Sequence, residues 1–203
     1  MRVARVSGPR SKPFCTGDMT VQRINAIDPQ AATGAAKTLV DGVQRKLGFV
    51  PNFMRTLAVS PATLDAYLSF GDRLNQGILS PKLREQIALT VAYSDSCQYC
   101  LAAHTAIGGM LGLSPSQLEA AYTADSTDPQ IAAALHFAQQ LVQNQGHVSD
   151  EEVAKVRRAG YSDAEIAEIV GHVALSVFTN YFNTVAQTDV DFPKTGKSVA
   201  ARS

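Results

Sequence analysis

Five dipeptides constrain this chain more than any other feature: Asp28-Pro29, Ser60-Pro61, Ser80-Pro81, Ser114-Pro115 and Asp128-Pro129. In each, a side chain able to accept from free backbone N–H groups precedes a proline whose fixed φ suits the first helical position. Five of the nine prolines therefore read as helix starters, which argues against a sheet protein. Capping boxes at Ser114/Gln117, Ser149/Glu152 and Ser162/Glu165 reinforce the pattern. Gly48, Gly77, Gly112, Gly146 and Gly160 follow apolar-periodic segments, where a left-handed residue closes a helix. The punctuation predicts helices over 29–47, 51–58, 61–76, 81–94, 97–111, 115–122, 129–145, 150–159 and 163–187. No stretch combines strict alternation with β-branched or aromatic enrichment, so the expected fold class is all-α.

The 203 residues are 45% apolar and 18% charged, enough for one packed core and too apolar for disorder. Formal net charge is zero, so nothing points to nucleic acid or anionic lipid. No apolar run approaches the ~18 residues of a membrane span. The expected organisation is an extension over 1–19, a helical domain over 20–193 and a tail over 194–203. Residues 1–18 carry basic side chains but no apolar core of a secretory signal. Three cysteines, one of them (Cys15) incidental in the extension, do not make a disulfide framework. The expected compartment is the reducing cytoplasm, where a Cys-x-x-Cys pair is more often catalytic or metal-binding than structural.

The chemistry concentrates at Cys97-Gln-Tyr-Cys100, with His104 four residues further on and Glu85 twelve residues upstream. Ser94-Asp95-Ser96 interrupts the helical pattern and offers caps for a new helix with Cys97 in its first turn. Cys97, Cys100 and His104 then share one helix face, near the positive end of the helix dipole that favours thiolate. His104 can take or relay the Cys100 proton. If the helices on either side of the 94–96 turn pack antiparallel, Glu85 approaches His104 and orients it. The same four residues offer zinc a possible ligand set, and an inert pair is also compatible with the spacing. His136 and His147 read as structural or capping residues, and His172 as a packed residue in a small-residue stretch. Phe178, Tyr181 and Phe182 read as core or subunit interface.

At these residues the sequence resembles the AhpD-like alkylhydroperoxidase branch of the carboxymuconolactone decarboxylase family. The resemblance extends to Val50-Pro51-Asn52-Phe53-Met54-Arg55, Arg84-Glu85-Gln86-Ile87-Ala88-Leu89 and Cys100-Leu101-Ala102-Ala103-His104-Thr105. It continues at Asn180-Tyr181-Phe182-Asn183 and Val190-Asp191-Phe192-Pro193, the C-terminal pattern of peroxidase-related members. The resemblance implies an AhpD-like helical bundle, assembled as a homo-oligomer (trimer or hexamer), that reduces organic hydroperoxides. It implies catalytic roles for Cys100 as nucleophile, Cys97 as resolving thiol, and His104 and Glu85 as proton relay. It also implies a Cys97–Cys100 redox disulfide recycled by an external dithiol or lipoylated protein, with no metal or other cofactor. The family's best-known members carry a histidine immediately before the second cysteine, where this chain has Tyr99. Tyrosine is a poor base at neutral pH, so redox sensing without efficient turnover is an alternative. A decarboxylase-like activity is a further one.

Overall fold

A computed structural model describes residues 22–193, and the expectations for the 1–19 extension, Cys15 and the 194–203 tail fall outside that range. The described residues form nine helices and no strand, in agreement with the all-α expectation. They are α1 (Gly34–Leu47), α2 (Asn52–Leu57), α3 (Pro61–Leu74), α4 (Pro81–Ser94), α5 (Gln98–Met110), α6 (Pro115–Tyr122), α7 (Pro129–Gln143), α8 (Asp150–Arg158) and α9 (Asp163–Ala186). No described helix is long and apolar enough to cross a membrane.

Four of the five proline starters open helices, and each preceding Ser60, Ser80, Ser114 or Asp128 accepts from the first-turn backbone. All three capping boxes form in both directions. The exception is Asp28-Pro29. Asp28 accepts from Gln30 N–H at 2.9 Å and closes a single turn, after which Gly34 enters the left-handed region at φ +58°. That reversal breaks continuity, so α1 begins five residues later than the sequence pattern suggests. Gly77 also departs from expectation: its backbone is not left-handed. A Cβ there would collide with the Glu168 carboxylate, which accepts from the N–H groups of Ile78 and Leu79. Gly77 makes room for a cap that arrives from α9.

Helix α4 is the axis of the molecule. Leu83 and every residue from Gln86 to Ala92 are buried, and the helix packs against α5, α6, α7 and α9. A helix apolar nearly all round belongs in a core. Its neighbours contribute Leu101, Leu135 and Ile169, each fully buried and each stabilising by roughly 1.5–3 kcal/mol through removal from water. Gly108 sets how closely α5 approaches: an added Cβ would lie 2.8 Å from Leu118 and 3.9 Å from the Glu85 Cβ. Such close packing, one turn beyond His104, is what brings the acid on α4 within reach of the imidazole on α5.

Candidate active site

The α4–α5 turn begins with a strained residue. Ser96 sits at φ +58°, a conformation that costs a non-glycine residue about 1 kcal/mol or more. The turn is closed by Cys97 N–H donating to Ala92 O at 2.9 Å and anchored by Asn180 of α9, whose amide donates to Asp95 at 3.0 Å. The expected cap from Ser94, Asp95 or Ser96 is not the one used. Cys97 itself is the cap: its sulfur accepts from the Cys100 N–H at 3.3 Å, so it precedes the first turn instead of lying in it.

Both thiols are free and buried, Cys97 2% and Cys100 3% exposed. Burial pushes the Cys100 pKa well up, and the hydrogen bond and charge of Cys97 push it the same way. Two donors from α9 work in the opposite sense: the Asn183 amide, 3.4 Å from the sulfur, and Thr179. His104 and Glu85 meet as the spacing suggested, with Nδ1 2.8 Å from Oε2 and both side chains about three-quarters or more buried. With the carboxylate accepting from Nδ1–H, the lone pair of the imidazole is left on Nε2. Among the described residues no three His, Cys, Asp or Glu side chains converge as metal ligands.

Cys100 and His104 open onto one cavity of about 270 Å³. Its floor includes Thr179 and Asn183, its walls Phe53, Tyr67 and Tyr99, and its rim the exposed Leu47, Phe49 and Met110. A depression of about 470 Å³ between α7 and α8, beside His136, contains neither cysteine. His136 and His147 are exposed, and His172 is buried as read, its pKa lowered by burial and by Arg84.

Tyr99 occupies a structural post. Its hydroxyl accepts from Phe53 N–H at 3.2 Å and donates to Asp191 at 2.9 Å, while Asp191 also accepts from Asn52 N–H at 2.7 Å. The start of α2 and the segment after α9 are thereby tied to the Cys-x-x-Cys turn. Burial, with the Asp191 carboxylate beside it, drives the Tyr99 pKa further above its ordinary value, so this phenol is no base at neutral pH.

Tyr67, Thr179, Asn180 and Asn183 are the site residues that the sequence reading passed over. A signal existed for three of them. Ser176, Thr179, Asn180 and Asn183 form a buried polar stripe at helical spacing on an otherwise apolar α9. Of the aromatic cluster on that helix, Phe182 packs on Phe53 at 5.8 Å and Phe178 stacks on Tyr67 at 6.5 Å, while Tyr181 is 60% exposed.

The raised Cys100 pKa predicts an observable. Alkylation of Cys100 by iodoacetamide, mapped by mass spectrometry, keeps accelerating at pH values where an ordinary thiol has already levelled off. Asn183→Leu moves that midpoint still higher, because it deletes a donor to the sulfur; an unmoved midpoint removes Asn183 from the set that tunes this thiol.

The carboxymuconolactone decarboxylase family model matches residues 61–143, from α3 through α7. Among solved structures, a peroxidase-related protein of Silicibacter sp. TM1040 superposes with a TM-score of 0.73 at 24% identity, covering 85% of this chain and 95% of its own. A peroxidase-related protein of Ralstonia eutropha JMP134, described as an alkylhydroperoxidase AhpD core, gives 0.74 at 25% identity, covering 83% and 92%. The debrominase Bmp8 shares the fold at 21% identity and a TM-score of 0.71, covering 83% and 91%. No curated protein matches the sequence.

Proposed function

We propose that this chain, which matches the carboxymuconolactone decarboxylase family model over residues 61–143 and has an AhpD-like fold, reduces organic hydroperoxides through Cys100 and Cys97. The observation that carries the reading is the Glu85–His104 contact of 2.8 Å at the wall of the cavity into which Cys100 opens. Burial keeps Cys100 protonated at rest, so a thiol nucleophile here needs a base at hand when substrate arrives. His104 Nε2 takes the thiol proton, and Glu85 stabilises the imidazolium. The sulfur attacks the distal peroxide oxygen: an S–O bond forms, the O–O bond breaks, and the departing alkoxide recovers the proton as an alcohol. Cys100 is left as a sulfenic acid, two electrons more oxidised. Cys97 then attacks that sulfur, water leaves, and the Cys97–Cys100 disulfide forms. An external dithiol, such as a lipoylated protein, restores both thiols.

A second reading, redox sensing without useful turnover, draws on the burial of both sulfurs and the raised Cys100 pKa. Thiol titration with mass mapping, before and after one equivalent of cumene hydroperoxide, tests the first. The expected result is loss of two thiols per chain, an intrachain Cys97–Cys100 disulfide and recovery with excess dithiol. Oxidation no faster than that of free cysteine transfers the site to sensing, and an oxidised Cys15 with an intact pair rejects both.

A further inference from the structure

We infer that the cavity above Cys100 selects a neutral, ring-bearing hydroperoxide and rejects substrates that carry a carboxylate, an inference that rests on the peroxidase reading and specifies its substrate. Three observations converge on this class.

The first is charge. The lining contains no lysine, arginine, aspartate or glutamate; its only ionisable groups are Tyr67, Tyr99, Cys100 and His104. His104 is already committed to Glu85. A carboxylate drawn into this space would leave water without a counter-ion, at a cost that geometry cannot recover. It would also face the negative charge of the Cys100 thiolate at the moment of attack.

The second is shape. Phe53 meets Tyr67 edge to face at 5.0 Å and lies 6.2 Å from Tyr99, and Tyr99 meets Phe192 edge to face at 5.8 Å. These rings present faces and edges suited to a further aromatic ring. At about 270 Å³ the cavity is nearly twice the ~150 Å³ known to hold one benzene ring, so a ring with a short branched arm fits while a bulky polycycle does not.

The third is a polar handle. The Tyr67 hydroxyl makes no hydrogen bond among the described residues; burial raises its pKa, and it lies close enough to Cys100 and Glu85 for their charges to add to that rise. Its O–H is available to donate to the peroxide, holding the distal oxygen toward the sulfur while the apolar body rests on the rings. It donates a hydrogen bond only; the proton balance of the reaction stays with His104.

The experiment compares cumene hydroperoxide with its para-carboxylate, which differ in charge at nearly constant shape. Wild-type kcat/KM is expected to favour the neutral compound by at least about 100-fold. Met110→Arg, at a rim position 77% exposed and so tolerant of charge, is expected to narrow that ratio about fivefold. Equal turnover of both compounds, or a ratio unmoved by the arginine, overturns the inference while leaving peroxidase activity intact. If no hydroperoxide is reduced, including hydrogen peroxide and tert-butyl hydroperoxide, the peroxidase reading itself fails. The cavity's preference is then read from NMR titration of the reduced protein with 2-phenylpropan-2-ol and its para-carboxylate. Tighter binding of the alcohol supports the inference, and equal or tighter binding of the carboxylate overturns it.

Discussion

Cys100→Ser is expected to abolish hydroperoxide turnover, with kcat/KM for cumene hydroperoxide falling about a thousandfold or more when a dithiol is supplied. Serine fills nearly the same space in the buried site, so the fold should survive while the sulfur that forms the S–O bond is gone. Cys97→Ser behaves differently. Without reductant it should complete one turnover, releasing one equivalent of alcohol per chain and holding a sulfenic acid at Cys100 that dimedone traps. The two outcomes follow from position. Cys100 opens onto the cavity beside His104, whereas Cys97 serves as the helix cap and touches Cys100 from behind. A burst in Cys100→Ser with none in Cys97→Ser would reverse the two roles.

The second large effect lies one step removed from sulfur. His104→Asn is expected to lower kcat/KM by about 10²–10⁴-fold near neutral pH, because burial keeps Cys100 protonated and nothing else at the cavity removes that proton. The sign of the pH dependence follows directly. As pH rises, solvent hydroxide generates the thiolate without a base, so the deficit of His104→Asn should shrink through pH 8 to 10. A deficit constant across that range would mean that His104 acts by packing and not by proton transfer. Glu85→Gln preserves a hydrogen bond to Nδ1 but removes the charge that steadies an imidazolium, and should cost about 10²-fold. Since Glu85 acts through His104, the double variant should be no slower than His104→Asn alone. Additive losses would separate the two residues and break the relay.

The elements of the fold were legible because their signals are local. A serine or aspartate before proline, or a capping box, satisfies backbone groups within four residues, so Ser80, Ser114 and Ser162 act as their neighbours dictate. Two signals failed, one through a distant partner and one through a local turn. Gly77 answers to Glu168, whose carboxylate arrives from α9. Asp28 spends its side chain on one turn before Gly34 redirects the backbone.

The site divides along the same line. Glu85 on α4 and Cys100 and His104 on α5 flank the tight turn that carries Cys97, and helical phase alone aligns Cys100 with His104. The tertiary structure added the residues that come from far away: Asn183 and Thr179 against Cys100, Asn180 against the Asp95 turn, Tyr67 on the cavity wall. It also settled what Tyr99 does. Sequence shows a tyrosine where the resembling family has a histidine; only the fold shows its hydroxyl joined to Asp191 and to the first turn of α2.

By itself, then, the sequence determined the all-α class, most of the helix starts and the nearness of Glu85, Cys97, Cys100 and His104 along the chain, since each depends on spacing within one or two helical segments. The depth of Cys100, the donors that tune it and the uncharged aromatic cavity above it were decided by tertiary packing. Burial, solvent exclusion and the absence of a counter-charge in the cavity lining depend on which distant side chains come to share one space.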